Sequence, residues 1–196
     1  MEKGFLGDRE KAMEADYFRK ENERLLEKLR QGAKLDDIAK ALGEKLQVDN
    51  QELLARIRGL DLTREAAPAL FLTPLVQVAW AEGSVGNRER EAVLRLARER
   101  DVEEGSPTYL QLVEWLKVRP SDAVFDVGLE VIKYGLAVLP PREMEERIVR
   151  LIDACHEVAA ASGTELARLL GLGDGVSRVE AHMLDEFNVR LRARRG

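Results

Sequence analysis

The stretch Ala69-Leu70-Phe71-Leu72-Thr73-Pro74-Leu75-Val76-Gln77-Val78-Ala79-Trp80-Ala81-Glu82-Gly83 decides the fold of this chain. It is nearly all apolar, lacks strand alternation and ends at a glycine, so it reads as a helix buried on most sides. Pro74 either opens the main part of that helix, with Thr73 as its cap, or kinks a longer one. The run is too short to span a bilayer.

A helix with no polar face needs other helices to cover it, and the flanking sequence supplies them. C-terminal to it, amphipathic patterns predict helices at about 87–100, 106–118, 121–139, 142–161 and 177–193. Ser106 before Pro107 marks one start, Ser121 caps the next, and Leu139-Pro140-Pro141 is a hard stop. Val124 to Val131 is the one stretch that tempts a strand assignment, and its buried face fits a helix better.

N-terminal to it, residues 34–46 carry Leu35, Ile38, Ala39 and Leu42 at helical spacing, and a short helix follows from Asn50, a plausible cap, to Leu60. Residues 8–31 read as one long charged helix with opposite charges at helical spacing, such as Asp16 with Lys20. Its apolar stripe of Phe18, Leu25 and Leu29 is thin, so it must dock, dimerise or fray. The expected organisation is a charged helix at 1–31, a connector of short helices at 32–63 and a helical domain at 64–196.

Composition narrows the function. The chain has 196 residues, 45% hydrophobic and 34% charged, with a net charge of −5. It can fold, and no bulk positive field draws it to nucleic acid or an anionic membrane. The one basic cluster, Arg190, Arg192, Arg194 and Arg195, complements a helix C-terminus. Cys155 is the only cysteine, which excludes an internal disulfide. With no signal-peptide layout at Met1 to Gly7, the expected location is cytoplasmic.

Two segments repeat one design. Glu82-Gly83-Ser84-Val85-Gly86-Asn87-Arg88-Glu89 has a glycine turn, a valine, then a glutamate four residues later. Gly173-Asp174-Gly175-Val176-Ser177-Arg178-Val179-Glu180 repeats that order. Both precede an amphipathic helix. One reading is capping: Ser177 with Glu180 is a capping box, Gly86 or Asn87 caps the other helix, and the dipole favours both glutamates. The other is convergence: side by side, Glu82, Glu89, Asp174 and Glu180 form a hard oxygen-lined site for a divalent cation.

The run Leu75 to Val85 with Glu89 resembles the signature of the tellurite-resistance TerB-like family. Gly105-Ser106-Pro107, Trp115-Leu116, Leu139-Pro140-Pro141 and Leu170-Gly171-Leu172-Gly173 with Val176, Ser177 and Glu180 extend the resemblance over about 65–193. It implies an all-α helical bundle with an internal pseudo-twofold repeat. It also implies a divalent metal ion held by Glu82, Glu89 and Glu180, with Asp174 as a further ligand, although the family usually has aspartate at the position of Glu82. A tellurite- or stress-response role in an envelope-linked complex follows from the same resemblance. The N-terminal segment is similar to the inhibitory helix of mitochondrial-type ATPase inhibitors, through Arg9, Glu10, Ala12, Glu14, Tyr17, Phe18 and Arg19. That similarity implies contacts to the F-type ATP synthase from Arg9, Glu10, Glu14, Tyr17 and Phe18.

Catalytic signatures do not emerge. No glycine-rich phosphate loop is present, and Gly171-Leu172-Gly173-Asp174-Gly175 follows a helix where a dinucleotide fingerprint follows a strand. Cys155 and His156 are adjacent on a helix and point about 100° apart, so they make no nucleophile–base pair. Cys155 falls on the stripe Ile148, Leu151, Ile152, Val158 and Ala159, and is expected to be buried. Trp80, Trp115 and Tyr109 read as core. The expectation is a non-enzymatic binding protein with no organic cofactor, protein partners and self-association through the first helix.

Overall fold

The computed structural model describes residues 13, 15–17, 19–20, 22–27, 35–162 and 176–193. Among these, all regular structure is helical. The described residues between 13 and 27 are helical, and α1 (Leu35–Asp49) and α2 (Gln51–Arg58) follow. A 3-10 segment, Ala67–Leu72, runs directly into α3 (Thr73–Ala79). Then come α4 (Asn87–Arg98), α5 (Pro107–Lys117), α6 (Asp122–Leu136), α7 (Pro141–Ser162) and α8 (Arg178–Arg192).

The decisive stretch is central, as its composition requires. Leu75, Val76, Val78 and Ala79 of α3 are fully buried, and α3 touches α4, α5, α6, α7 and α8. It is shorter than the sequence implies, because the chain tightens to 3-10 geometry before Pro74. Pro74 lies in the first turn of α3, where its missing N–H is not needed. Thr73 does not act as the cap. Its hydroxyl donates back to the Leu70 carbonyl at 2.9 Å. Trp80 closes α3, and the chain reverses through Gly83 at φ +85°, a backbone region that glycine enters without a Cβ clash.

Neighbouring helices bury the faces their patterns predict. Val93, Leu96 and Ala97 of α4, Ile148, Cys155 and Val158 of α7, and Leu184, Phe187 and Leu191 of α8 belong to one buried cluster, and α7 packs on both α4 and α8. Pro141 begins α7 as its first residue. Asn50 caps α2 and Ser106 caps α5, each side chain accepting a backbone N–H. Ser121 occupies the cap position of α6 without a side-chain cap bond, and α6 ends at Leu136, short of the expected Leu139.

The segments before α3 join the same hydrophobic cluster through Leu25, Leu42, Leu46 and Leu53. Leu25 is 1% exposed, so among the described residues of the charged N-terminal helix this leucine is the one that is fully buried. Arg24 adds an exposed ion pair to Glu44 of α1 at 3.0 Å, which contributes little beside that burial. Two polar pins hold α1 and α2 on α6. Arg56 contacts Glu130 at 2.7 Å. Lys45, buried at 8% exposure, pairs with Asp49 at 2.6 Å beneath the Tyr134 ring, whose hydroxyl donates to Asp49.

Candidate functional site

The N-termini of α4 and α8 present the two glutamates singled out by the repeat. Gly86 opens α4 in an extended conformation, and its N–H donates to Glu89 Oε2 at 2.5 Å. In α8 the full capping box forms. Ser177 N–H donates to Glu180 Oε2 at 2.7 Å, and Glu180 N–H donates to Ser177 Oγ at 3.3 Å. The glutamate therefore bonds the same backbone position, three residues back, in both turns. Val85 and Val176 also match, each half-buried against the core.

Capping alone leaves a glutamate at a solvated helix end. Here Glu89 is 6% exposed and Glu180 is 0% exposed. Burial pushes the Glu89 carboxyl up from the ordinary glutamate value, against the lowering effect of the Gly86 N–H, and the charges of Glu180 and Glu82 push it further. Those two repulsions mean that both turns bring their carboxylates into one electrostatic neighbourhood. The packing of α8 against α3 and α7, and of α4 against the same two helices, creates that neighbourhood.

Glu82 stands exposed at the rim. Asp174 lies outside the described residues. Among the described residues, no three His, Cys, Asp or Glu side chains form a group able to hold a metal ion. One oxygen of Glu89 and one of Glu180 are engaged by backbone N–H groups. The donors are hard oxygens, matched to a hard divalent cation.

The first turn is braced from behind. Trp80 Nε1–H donates to the Trp115 carbonyl at 2.8 Å, and Arg90 donates to the Leu116 carbonyl at 3.3 Å. Both carbonyls belong to the last turn of α5, where no helical partner exists. Trp80 thus does more than pack.

The other expected residues separate clearly. Cys155 is fully buried, and burial raises its thiol to about 12. His156 and His182 are exposed. Of the five residues expected to contact an ATP synthase, Tyr17 is half exposed, while Arg9, Glu10, Glu14 and Phe18 lie outside the described residues. Arg190 bonds Asp126 at 3.2 Å and Arg192 pairs with Glu145, so this part of the basic cluster is used within the fold. Arg194 and Arg195 are outside the described residues. The Lys45–Asp49–Tyr134 cluster is not anticipated by the sequence reading; only the helical spacing of Lys45 and Asp49 hints at it.

No described helix is long and apolar enough to cross a membrane. No protein-family model matches the chain, and no curated protein or solved structure shows significant similarity to it.

Proposed function

We propose that this protein is a TerB-like binding module whose paired turns hold a divalent cation through Glu89, Glu180 and Glu82, completed by Asp174. The observation that carries this reading is the burial of Glu89 and Glu180 within reach of each other's charge. A carboxylate withdrawn from water beside like charges, as Glu89 is, is costly to ionise, and a divalent cation would offset that cost. The equivalent positions of the two glutamates support a duplicated unit with a pseudo-twofold relation. The setting implied by the resemblance is a tellurite- or stress-response complex.

Calorimetry of the full chain with calcium, magnesium, manganese and zinc tests the site. Stoichiometric heat with one of these ions is expected, and Glu82→Gln with Glu180→Gln abolishes it. Absence of heat with all four ions removes the cation from the reading.

The exposed side chains of Met13 and Tyr17, on a helix anchored by Leu25, support a second surface for a protein partner or another copy of the chain. For an F-type ATP synthase partner, the full chain inhibits ATP hydrolysis by the purified enzyme and Tyr17→Ala relieves it. An inert full chain ends that reading.

A further inference from the structure

A cavity of about 740 Å³ lies where α1, α2, the connection after α2 and the 3-10 segment meet. It shares no residue with the two turns. Its apolar lining includes Leu42, Leu46, Leu54, Ile57, Leu70 and Phe71. Leu42, Leu46 and Leu70 are buried and form its floor, and Phe71 adds an aromatic ring. The size falls within the range of small-molecule sites, roughly 300–1,000 Å³.

Gly43, inside α1, keeps one wall of the cavity open. Glycine weakens a helix interior relative to alanine. No neighbour requires it here, because a Cβ at Gly43 would have nothing within 4 Å. The space left by the missing side chain belongs to the cavity.

Charge in the lining is balanced. Asp36, Glu44 and Glu65 are matched in number by Lys40, Arg58 and Arg64. All but Glu44 are exposed, and Glu44 pairs with Arg24 at 3.0 Å. Water screens charges at such a rim, so an ionic headgroup gains no net field there. Drawn inward among the leucines, the same headgroup would lose its hydration without a partner.

We propose that this cavity binds a neutral, mostly hydrocarbon small molecule with an aromatic ring packed on Phe71. Offset and edge-to-face ring contacts favour that pairing over a purely aliphatic body.

Two fluorescent probes separate charge from shape. N-phenyl-1-naphthylamine is neutral, and 8-anilinonaphthalene-1-sulfonate adds a sulfonate to the same ring frame. Titrated into the full chain, the neutral probe is expected to saturate with blue-shifted emission and to bind about tenfold or more tighter than the sulfonate. Nuclear magnetic resonance of the full chain with the neutral probe should move amide signals over 39–47 and 54–71. Gly43→Phe enters open space from a helical position and should weaken the neutral probe by about tenfold or more. The proposal is overturned if the neutral probe does not saturate, if the sulfonate binds equally well, or if the moved signals centre elsewhere. A folded Gly43→Phe protein that binds the neutral probe unchanged also overturns it. Should that variant not fold, the amide signals of the unmodified chain decide the location.

Discussion

At the scale of single residues, Gly128 fixes how closely α6 approaches α3. A Cβ at this position would lie 2.1 Å from Thr73 Oγ1 and 2.9 Å from Thr73 Cβ and Cγ2. Helix propensity favours alanine over glycine here, so the requirement is spatial. Gly128→Ala should destabilise by about 1–3 kcal/mol, the usual cost of overpacking. Thr73→Ala removes the nearest atom but keeps its Cβ, so it should rescue part of that loss. A double-mutant cycle by urea unfolding measures the coupling, and additive effects would show that the contact is not the cause. Glu89 offers a second test through pH. Its folded pKa is raised, so the native state holds its proton above the pH at which the unfolded chain releases it. Its contribution is therefore present at low pH and is lost as pH rises from the ordinary glutamate value through the folded one. Glu89→Gln keeps an acceptor for Gly86 N–H and has no proton to lose. Urea melts from about pH 4 to pH 8 should show a weaker downward slope in the variant than in the wild type. The variant should also be at least as stable near neutrality. A steeper slope would contradict the buried repulsion.

At the scale of elements, the described part of the N-terminal helix is anchored by the buried Leu25. The Lys20–Asp16 pair at 3.1 Å is exposed and stiffens the helix without attaching it, and the Arg24–Glu44 pair to α1 is exposed and contributes little. Leu25→Ala should therefore release it. Faster amide exchange over residues 22–27 is expected, with a global loss approaching the lower end of the roughly 2–5 kcal/mol range for buried leucines. Unchanged exchange would move the anchor elsewhere. The all-α fold was legible because its signals are local. Asn50, Ser106 and Ser177 announce helix starts by side-chain chemistry, and the α7 stripe from Ile148 to Ala159 places Cys155 inside. Of the two readings of Pro74, opening a helix or kinking a longer one, the first holds, but its cap does not: a threonine before proline resembles a cap, whereas the Thr73 hydroxyl turns back to Leu70. The chemistry of the Ser177–Glu180 box could be read from four residues. The burial of Glu180 could not, because helices distant in sequence exclude its water. Tyr134 pairs with Asp49 across 85 residues, and no sequence periodicity encodes that contact.

At the scale of the whole molecule, the question is whether the early helices unfold with the rest. Leu25, Leu42, Leu46 and Leu53 belong to the same hydrophobic cluster as α3, α7 and α8. Losing α1 and α2 would expose the 3-10 segment and α6 while breaking the Arg56–Glu130 and Tyr134–Asp49 pins. Those pins tie the early helices to the most central packing, so partial unfolding would leave a large apolar face in water. One cooperative transition follows. The two tryptophans provide a local probe, because the Trp80–Trp115 bond reports α3 and α5. Far-UV circular dichroism reports every helix. Urea curves from the two signals should superimpose, with a common midpoint and a slope of about 2–3 kcal/mol per molar. A helical signal that falls before the fluorescence would mean that α1 and α2 separate first, and that the pins are weaker than the packing beneath them.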